Sequence, residues 1–209
     1  MQITFTEIKQ VKRLAKQLRT SFPSLKHGQR LNKAAAQLFG VRDYHEATQR
    51  YEKWILQDVC TPPGATVVST CMCCDFMFAM DIQEDRYAHQ KIHERFHEAC
   101  TAMGYRPGTI SQREKMKRDG WYLADHGETL DKRVSGALQV IRGWYDRSLS
   151  NAIDGGYWRK HPCFESYVPM VYHNLSSCYE EVRKALADRY GSVQPGIHPG
   201  SVCWYSKNH

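Results

Sequence analysis

No apolar run in this sequence approaches the roughly 20 residues that a bilayer-spanning helix needs, and the mean hydropathy is −0.61. The first residues, Met1-Gln2-Ile3-Thr4-Phe5, lack the charged head and apolar stretch of a secretory signal. A membrane protein and a secreted one are both unexpected; a cytoplasmic location with no membrane partner is expected. In that reducing setting the eight cysteines do not make a disulfide framework. Six of them (Cys60, Cys73, Cys100, Cys163, Cys178, Cys203) are scattered and read as small buried hydrophobes or inert thiols. There is no internal repeat and no low-complexity tract, which excludes solenoids and compositionally disordered chains. Carboxylates are scarce at one end. Residues 1–57 hold four Asp and Glu against eleven Lys and Arg, whereas the remainder holds eighteen of each. A basic head on a neutral body suits phosphate, in nucleic acid more than in a membrane; the alternative is a solvated helical face that serves solubility. With 209 residues, 42 % of them hydrophobic, the chain suits one sizeable domain or two or three small ones.

The distinctive chemistry lies between residues 66 and 103. Cys71-x-x-Cys74 is followed, after fourteen residues, by His89-x-x-x-His93. Two thiolates and two imidazoles at that spacing close a tetrahedral zinc site between a β-turn and one helical turn. Thr66–Thr70 reads as a strand entering the knuckle and Phe76–Met80 as one leaving it. Asp81 is the expected cap of a helix that ends near Met103-Gly104 and carries His89 and His93 on one face. One structural Zn2+ held by Cys71, Cys74, His89 and His93 is expected, and four protein ligands leave it no open position to activate water. His97, one turn further on, is expected on an exposed face, although it or Cys100 offers a substitute ligand.

Three helices precede this motif. Thr4-Phe5-Thr6-Glu7 is a capping box, after which Phe5, Ile8, Val11, Leu14, Ala15 and Leu18 recur at helical spacing. The second helix runs from about Gly28 to Phe39, with Leu31, Ala34, Ala35, Leu38 and Phe39 inward and Gly40 in the left-handed position that ends it. Asp43 caps the third, which buries some of Tyr44, Ala47, Tyr51, Trp54 and Ile55 and ends near Gln57. Thr61-Pro62-Pro63-Gly64 follows as a linker. The segment from Leu25 to Tyr44 resembles a short helical module at the head of some bacterial plasmid and phage proteins, including a group labelled glyoxalase-related. The metal-binding glyoxalase domain is absent, so that chemistry is not implied. Ala36 and Gly40 also fit a helix-turn-helix, but Glu46 falls where an apolar residue would anchor the recognition helix.

Beyond the motif, Ser111 to Arg118 reads as a short basic helix ended by Gly120. Leu130 to Ile153 is the longest helix, with Val134, Ala137, Leu138, Ile141, Trp144, Tyr145, Leu149 and Ile153 on a core face. A helix around Phe164 to His173 tolerates Pro169 as a kink at most. The last helix spans Cys178 to Tyr190, and the tail from Val193 is irregular but docked through Trp204 and Tyr205.

The Cys-x-x-Cys, Phe78 four residues on, Glu84-Asp85 and His-x-x-x-His together resemble the single zinc finger of the cohesin acetyltransferases, over Thr70 to about Tyr105. The resemblance implies a zinc fold with the same four ligands. Asp75 stands where that family has glycine, and no Gly-rich acetyl-CoA loop opening a helix follows, so acetyltransferase activity is not carried over. Nor is base reading expected: the helix positions that contact bases, counted back from His89, are Ile82, Asp85 and Ala88. His126 with Asp125 and Glu128, and His161 near Glu165, are pairings by proximity without a nucleophile motif. Arg142, Arg147, Arg159 and Lys160 near Trp144, Tyr157 and Trp158 suit a single-stranded nucleic-acid patch, but core aromatics with surface arginines are favoured. No catalytic residue is expected.

The expected fold is mainly α: a helical head and a helical C-terminal body around an inserted ββα zinc finger, divided at 1–60, 61–105 and 106–209. The expected function is non-enzymatic: an accessory or regulatory protein of a bacterial mobile element that binds nucleic acid or a nucleoprotein complex. Lys9, Lys12, Arg13, Lys16, Arg19, Lys26, Arg30 and Lys33 would meet the phosphates. The alternatives are a protein-interaction module, an inhibitor or adaptor docking through the acidic-tipped finger helix, and an enzyme with an unrecognised site.

Overall fold

A computed structural model describes residues 2–61, 68–175 and 179–192. The described chain is mainly α-helical, with eight α-helices and one small three-stranded sheet. None of these helices is long and apolar enough to cross a membrane. Compactness divides the chain into two units, Met1–Glu98 and Ala99–His209. The helical head and the expected finger up to Glu98 lie in the first.

In the first unit, α1 (Phe5–Ser21) buries Ile8, Val11, Ala15 and Leu18 along one stripe. The Glu7 carboxylate accepts the Thr4 N–H at 2.8 Å and closes the first turn. Helix α2 (His27–Phe39) buries only Ala34 and Ala35, and Gly40 ends it at φ 63°. Leu38, expected inward, is 40 % exposed, because the small alanines already fill the contact. Helix α3 (Tyr44–Leu56) starts where Asp43 accepts the Glu46 N–H at 2.8 Å. The three helices share one core with Ile3, Val41, Ala47, Tyr51, Trp54 and Ile55.

The chain then forms β1 (Val59–Cys60), β2 (Val68–Cys71) and β3 (Met77–Ala79), antiparallel in the order β1-β2-β3. Val59 pairs with Cys71 and Ser69 with Phe78. The expected ββα is therefore a three-stranded unit; a two-residue strand is too short for alternation to reveal it. Pro62–Val67, which include most of the expected linker and the start of the expected first strand, lie outside the described residues. Helix α4 (Gln83–Met103) follows, and the division between the units falls inside it. Asp81 is not its cap. The first helical bond runs from Arg86 N–H to Ile82 O at 3.1 Å. The Asp85 carboxylate instead reaches back to the Ala79 N–H at 2.9 Å and fixes the turn.

The second unit holds α5 (Ile110–His126), α6 (Leu130–Asp154), α7 (Phe164–Val171) and α8 (Glu180–Tyr190). Helix α5 does not stop at Gly120. A Cβ there would stand 2.7 Å from Gly136 O, and one at Gly136 would stand 2.4 Å from Ala124 N. Both glycines serve the close approach of α5 and α6 rather than a turn. Helix α6 buries Val134, Ala137, Ile141, Tyr145, Leu149 and Ile153 as expected, while Leu138 and Trp144 are half-buried. Asp146, also buried, accepts from Gly108 N–H at 2.9 Å and Tyr105 O–H at 2.5 Å. Pro169 lies inside α7, which gives way to a 3-10 turn at Tyr172–Asn174. Cys178 and the tail with Trp204 and Tyr205 lie outside the described residues.

Gly136→Ala is expected to destabilise the protein by about 1–3 kcal/mol, because backbone cannot yield as a flexible side chain does. Gly28→Ala, with nothing within 4 Å of the added carbon, is expected to be neutral or stabilising by about 0.5–1 kcal/mol. Urea denaturation midpoints of the two variants check the contrast.

Candidate metal centre

Cys71 ends β2, and the turn beyond it brings Cys74 back beneath the strand. Two backbone bonds close the turn, Asp75 N–H to Cys71 O at 2.8 Å and Cys71 N–H to Phe76 O at 3.0 Å. Asp75 stands at φ 62°, the left-handed region where glycine is the default residue and aspartate one of the few substitutes. From the other side α4 presents His89 and His93 one turn apart. All four side chains are buried, the two histidines to 1 % exposure. Their ligand atoms all lie within 4.8 Å of one another, with Cys71 Sγ 3.4 Å from His93 Nδ1.

Aromatic rings hold the imidazoles in place. Phe78 of β3 lies parallel to His89 at 4.2 Å, and Trp54 of α3 meets His93 edge-on at 4.9 Å. The sheet thus orients one ligand and the helical head the other. Behind them the Tyr51 hydroxyl donates to the buried Glu94 carboxylate, which also accepts from Gln90 Nε2 at 2.9 Å.

His89 Nε2 is buried with no hydrogen-bond partner. Such a nitrogen costs about 1–3 kcal/mol if left so, and a cation between the four groups supplies its partner. The Cys71 thiol is held below its ordinary value by its hydrogen bond with the Cys74 thiol, with His89 and His93 adding to the effect against burial. The same contact and burial push Cys74 up. The two sulfurs thus face each other at the point where a soft or borderline divalent ion would sit. The residues fit a structural metal site: four buried protein ligands, none of them water.

His97 is not on an exposed face as expected. It is half-buried, edge-on to Trp54 at 4.7 Å, and burial lowers its imidazole below the usual value. Neither His97 nor Cys100 joins the four. A second group, Asp58, Cys73 and His93, also brings ligand atoms within 4.8 Å. It shares His93 with the first and offers only half-buried partners. Nothing in the spacing of the sequence pointed to Asp58, which reaches the knuckle through the Met72 N–H to Asp58 O bond at 2.8 Å.

The basic candidates divide. Lys12, Arg13, Lys16 and Arg19 are exposed along α1, and no ion pair engages them among the described residues. Lys9 pairs with Glu98 at 3.4 Å, and its ammonium stands 4.2 Å from the centre of the Phe5 ring. Lys26 is exposed at the start of α2, and Lys33 stands over Phe22. Arg30 is half-buried and donates to Leu25 O, so it holds the α1–α2 loop rather than facing solvent freely.

The histidine–carboxylate pairings are not brought together. His126 is exposed and stacked on Tyr122 at 4.6 Å, while Asp125 accepts from Tyr179 and Glu128 pairs with Lys132. His161 is buried and bonded to Pro162 O at 3.0 Å and Ser148 Oγ at 2.9 Å, whereas Glu165 is exposed. Trp158 is buried, as favoured from the sequence, but Tyr157 is 53 % exposed and Arg142 is half-buried, 3.3 Å from the centre of the Phe164 ring, rather than on the surface.

No family model matches the chain, and no curated protein or solved structure is detectably similar to it. The resemblance to the cohesin acetyltransferase finger therefore rests on its own motif residues.

Loading with Zn2+ near neutral pH is expected to release protons from the thiols, which bind as thiolates. As pH falls, protons compete with the metal for the ligand atoms, so affinity falls with acidification. Calorimetry in buffers of different ionisation heat checks the proton count. Asp75→Gly is expected to raise stability by about 1 kcal/mol, and Asp75→Val to lower it by about 1–2 kcal/mol, read from thermal melts of the loaded protein.

Proposed function

We propose that this is a non-enzymatic zinc protein that binds nucleic acid, or a nucleoprotein complex, on the exposed basic face of α1. The observation that carries this is a separation of charge. From Ile8 through Arg42 the chain holds nine Lys and Arg and no Asp or Glu, and Lys12, Arg13, Lys16 and Arg19, at i, i+1, i+4 and i+7, lie exposed on one helix. Uncompensated cations on a rigid element are what phosphate recognition needs. A solvated face serving solubility alone would be expected to intersperse both signs.

Zinc is the metal best suited to two thiolates and two imidazoles in a closed tetrahedral set. Its role is in the fold. The finger's helix does not suit base reading, since Asp85 is committed to Ala79 N–H and Glu84 is exposed beside it. A reducing cytoplasm would keep both thiols available to the metal. Origin in a bacterial mobile element rests on the resemblance of the Leu25–Tyr44 module alone.

One observation favours a second reading, protein docking. A groove of about 430 Å3 between α3 and α4 is lined by Ile55, Leu56 and Tyr87 with Glu52 and Arg86 at its polar side, and Tyr87 is 59 % exposed. Native mass spectrometry of protein purified at low salt separates the two by the mass of what is retained.

Nucleic-acid binding through α1 predicts affinity that falls linearly on a log–log plot against salt. Combining Lys12→Glu, Arg13→Glu and Lys16→Glu is expected to reduce that slope by roughly 2–3. Unchanged affinity in the triple variant, with unchanged zinc content, would remove the proposal.

A further inference from the structure

We infer that Phe22 is a base-stacking platform, so that the nucleic acid held by the first unit is single-stranded. This rests on the phosphate-binding role proposed for α1 and goes beyond it in naming the strand form. Phe22 is the residue at which α1 ends: its N–H still donates to Leu18 O at 2.9 Å, but its own backbone has left the helix at φ −135° and ψ 68°. The ring is thereby turned out of the core and is 38 % exposed. It forms one wall of a shallow groove of about 640 Å3 between α1 and α2, whose other lining residues are Leu18, Lys33, Ala36 and Gln37.

That lining has the parts a base and its phosphate require. Leu18 and Ala36 give an apolar floor. Gln37 offers both a donor and an acceptor to a base edge. The Lys33 ammonium lies over one face of the Phe22 ring, 4.5 Å from its centre, so a base takes that face as the flexible lysine swings aside to meet its phosphate. Arg19, one turn before Phe22, and Lys26, four residues after it, are both exposed. No carboxylate occurs between Glu7 and Asp43, so beyond the first turn of α1 nothing on these helices repels a phosphodiester that follows α1 into the groove. Aromatic faces beside cationic grooves recognise single strands because an unpaired base exposes its π-face, whereas a duplex buries it in the stack. The charge complementarity selects a polyanion, and the exposed ring selects one with flat apolar groups.

The test is fluorescence anisotropy with oligothymidylate of about 20 nucleotides, longer than the roughly 4–16 that such sites occupy, and with a duplex of equal length. Phe22→Ala is expected to weaken binding to the single strand about 10-fold, leave its salt dependence unchanged and alter duplex binding less than about twofold. Phe22→Trp is expected to keep single-strand affinity and to show quenching of the new indole by oligothymidylate but not by duplex. Equal losses on both forms, or no loss in Phe22→Ala together with no quenching in Phe22→Trp, overturn the stacking platform while leaving phosphate binding by α1 intact. Wild-type protein that binds neither form, or that sediments with phosphatidylserine vesicles instead, overturns both. Thermal melts of the two variants show whether any loss reflects the site or the fold, and Phe22→Trp keeps an aromatic ring at the half-exposed position if Phe22→Ala does not fold.

Discussion

Trp54 is the point on which the first unit depends. Its indole closes the core shared by α1, α2 and α3 and at the same time meets His93 and His97 edge-on. The three short strands beyond it have no core of their own large enough to stand alone. What fixes them is a pair of sulfurs on one side and two imidazoles on the other, with Trp54 and Phe78 setting the ring planes. A cation bound there completes a path from the sheet through His93 to the head. The Tyr51–Glu94 bond runs parallel to that path, between α3 and α4. Loss of the metal would therefore be felt first in the sheet and α4. The head would lose a neighbour but keep Ile8, Val11, Ala15, Leu18, Ala34 and Ala35 in contact.

The parts of this arrangement legible in the sequence were those with local signals. Helical periodicity gave α1 its buried stripe, Asp43 gave α3 its start, and Gly40 its neighbour's end. The four metal-site residues could be read from spacing because their geometry is set by one turn and one helix. Signals that depend on a partner far along the chain were misread. Gly120 reads as a stop until Gly136 is seen opposite it, at which point both become sites of backbone approach. Asp81 reads as a cap until Asp85 is seen reaching back to Ala79. β1 is invisible because two residues carry no period, and it exists only through pairing with β2. His97 was expected outside because helical spacing from His93 cannot foresee an indole arriving from α3.

The departure at Asp75 has a similar lesson. A side chain at the position where the resembling family has glycine would ordinarily count against the knuckle. The backbone there is left-handed at φ 62°, and aspartate is among the residues that accept this conformation at modest cost. The knuckle therefore keeps its turn and carries an added carboxylate, half-buried beside Cys74.

Metal and basic face are separate in their electrostatics as well as in their positions. A divalent cation bound by two thiolates and two neutral imidazoles carries no net charge at the centre, so it adds no long-range field for steering a polyanion. Attraction toward phosphate would have to come from α1 and the start of α2, where Glu7, in the first turn of α1, is the sole carboxylate on either helix. The one exposed ion pair that joins α1 to α4, Lys9 with Glu98, lies at the first turns of that face and is worth little in water. Mechanical support therefore reaches the basic face through Trp54 and the shared core, while its charge is independent of the metal. For a given folded state, replacing one divalent ion by another in the same four ligands would therefore leave the field of the basic face unaltered.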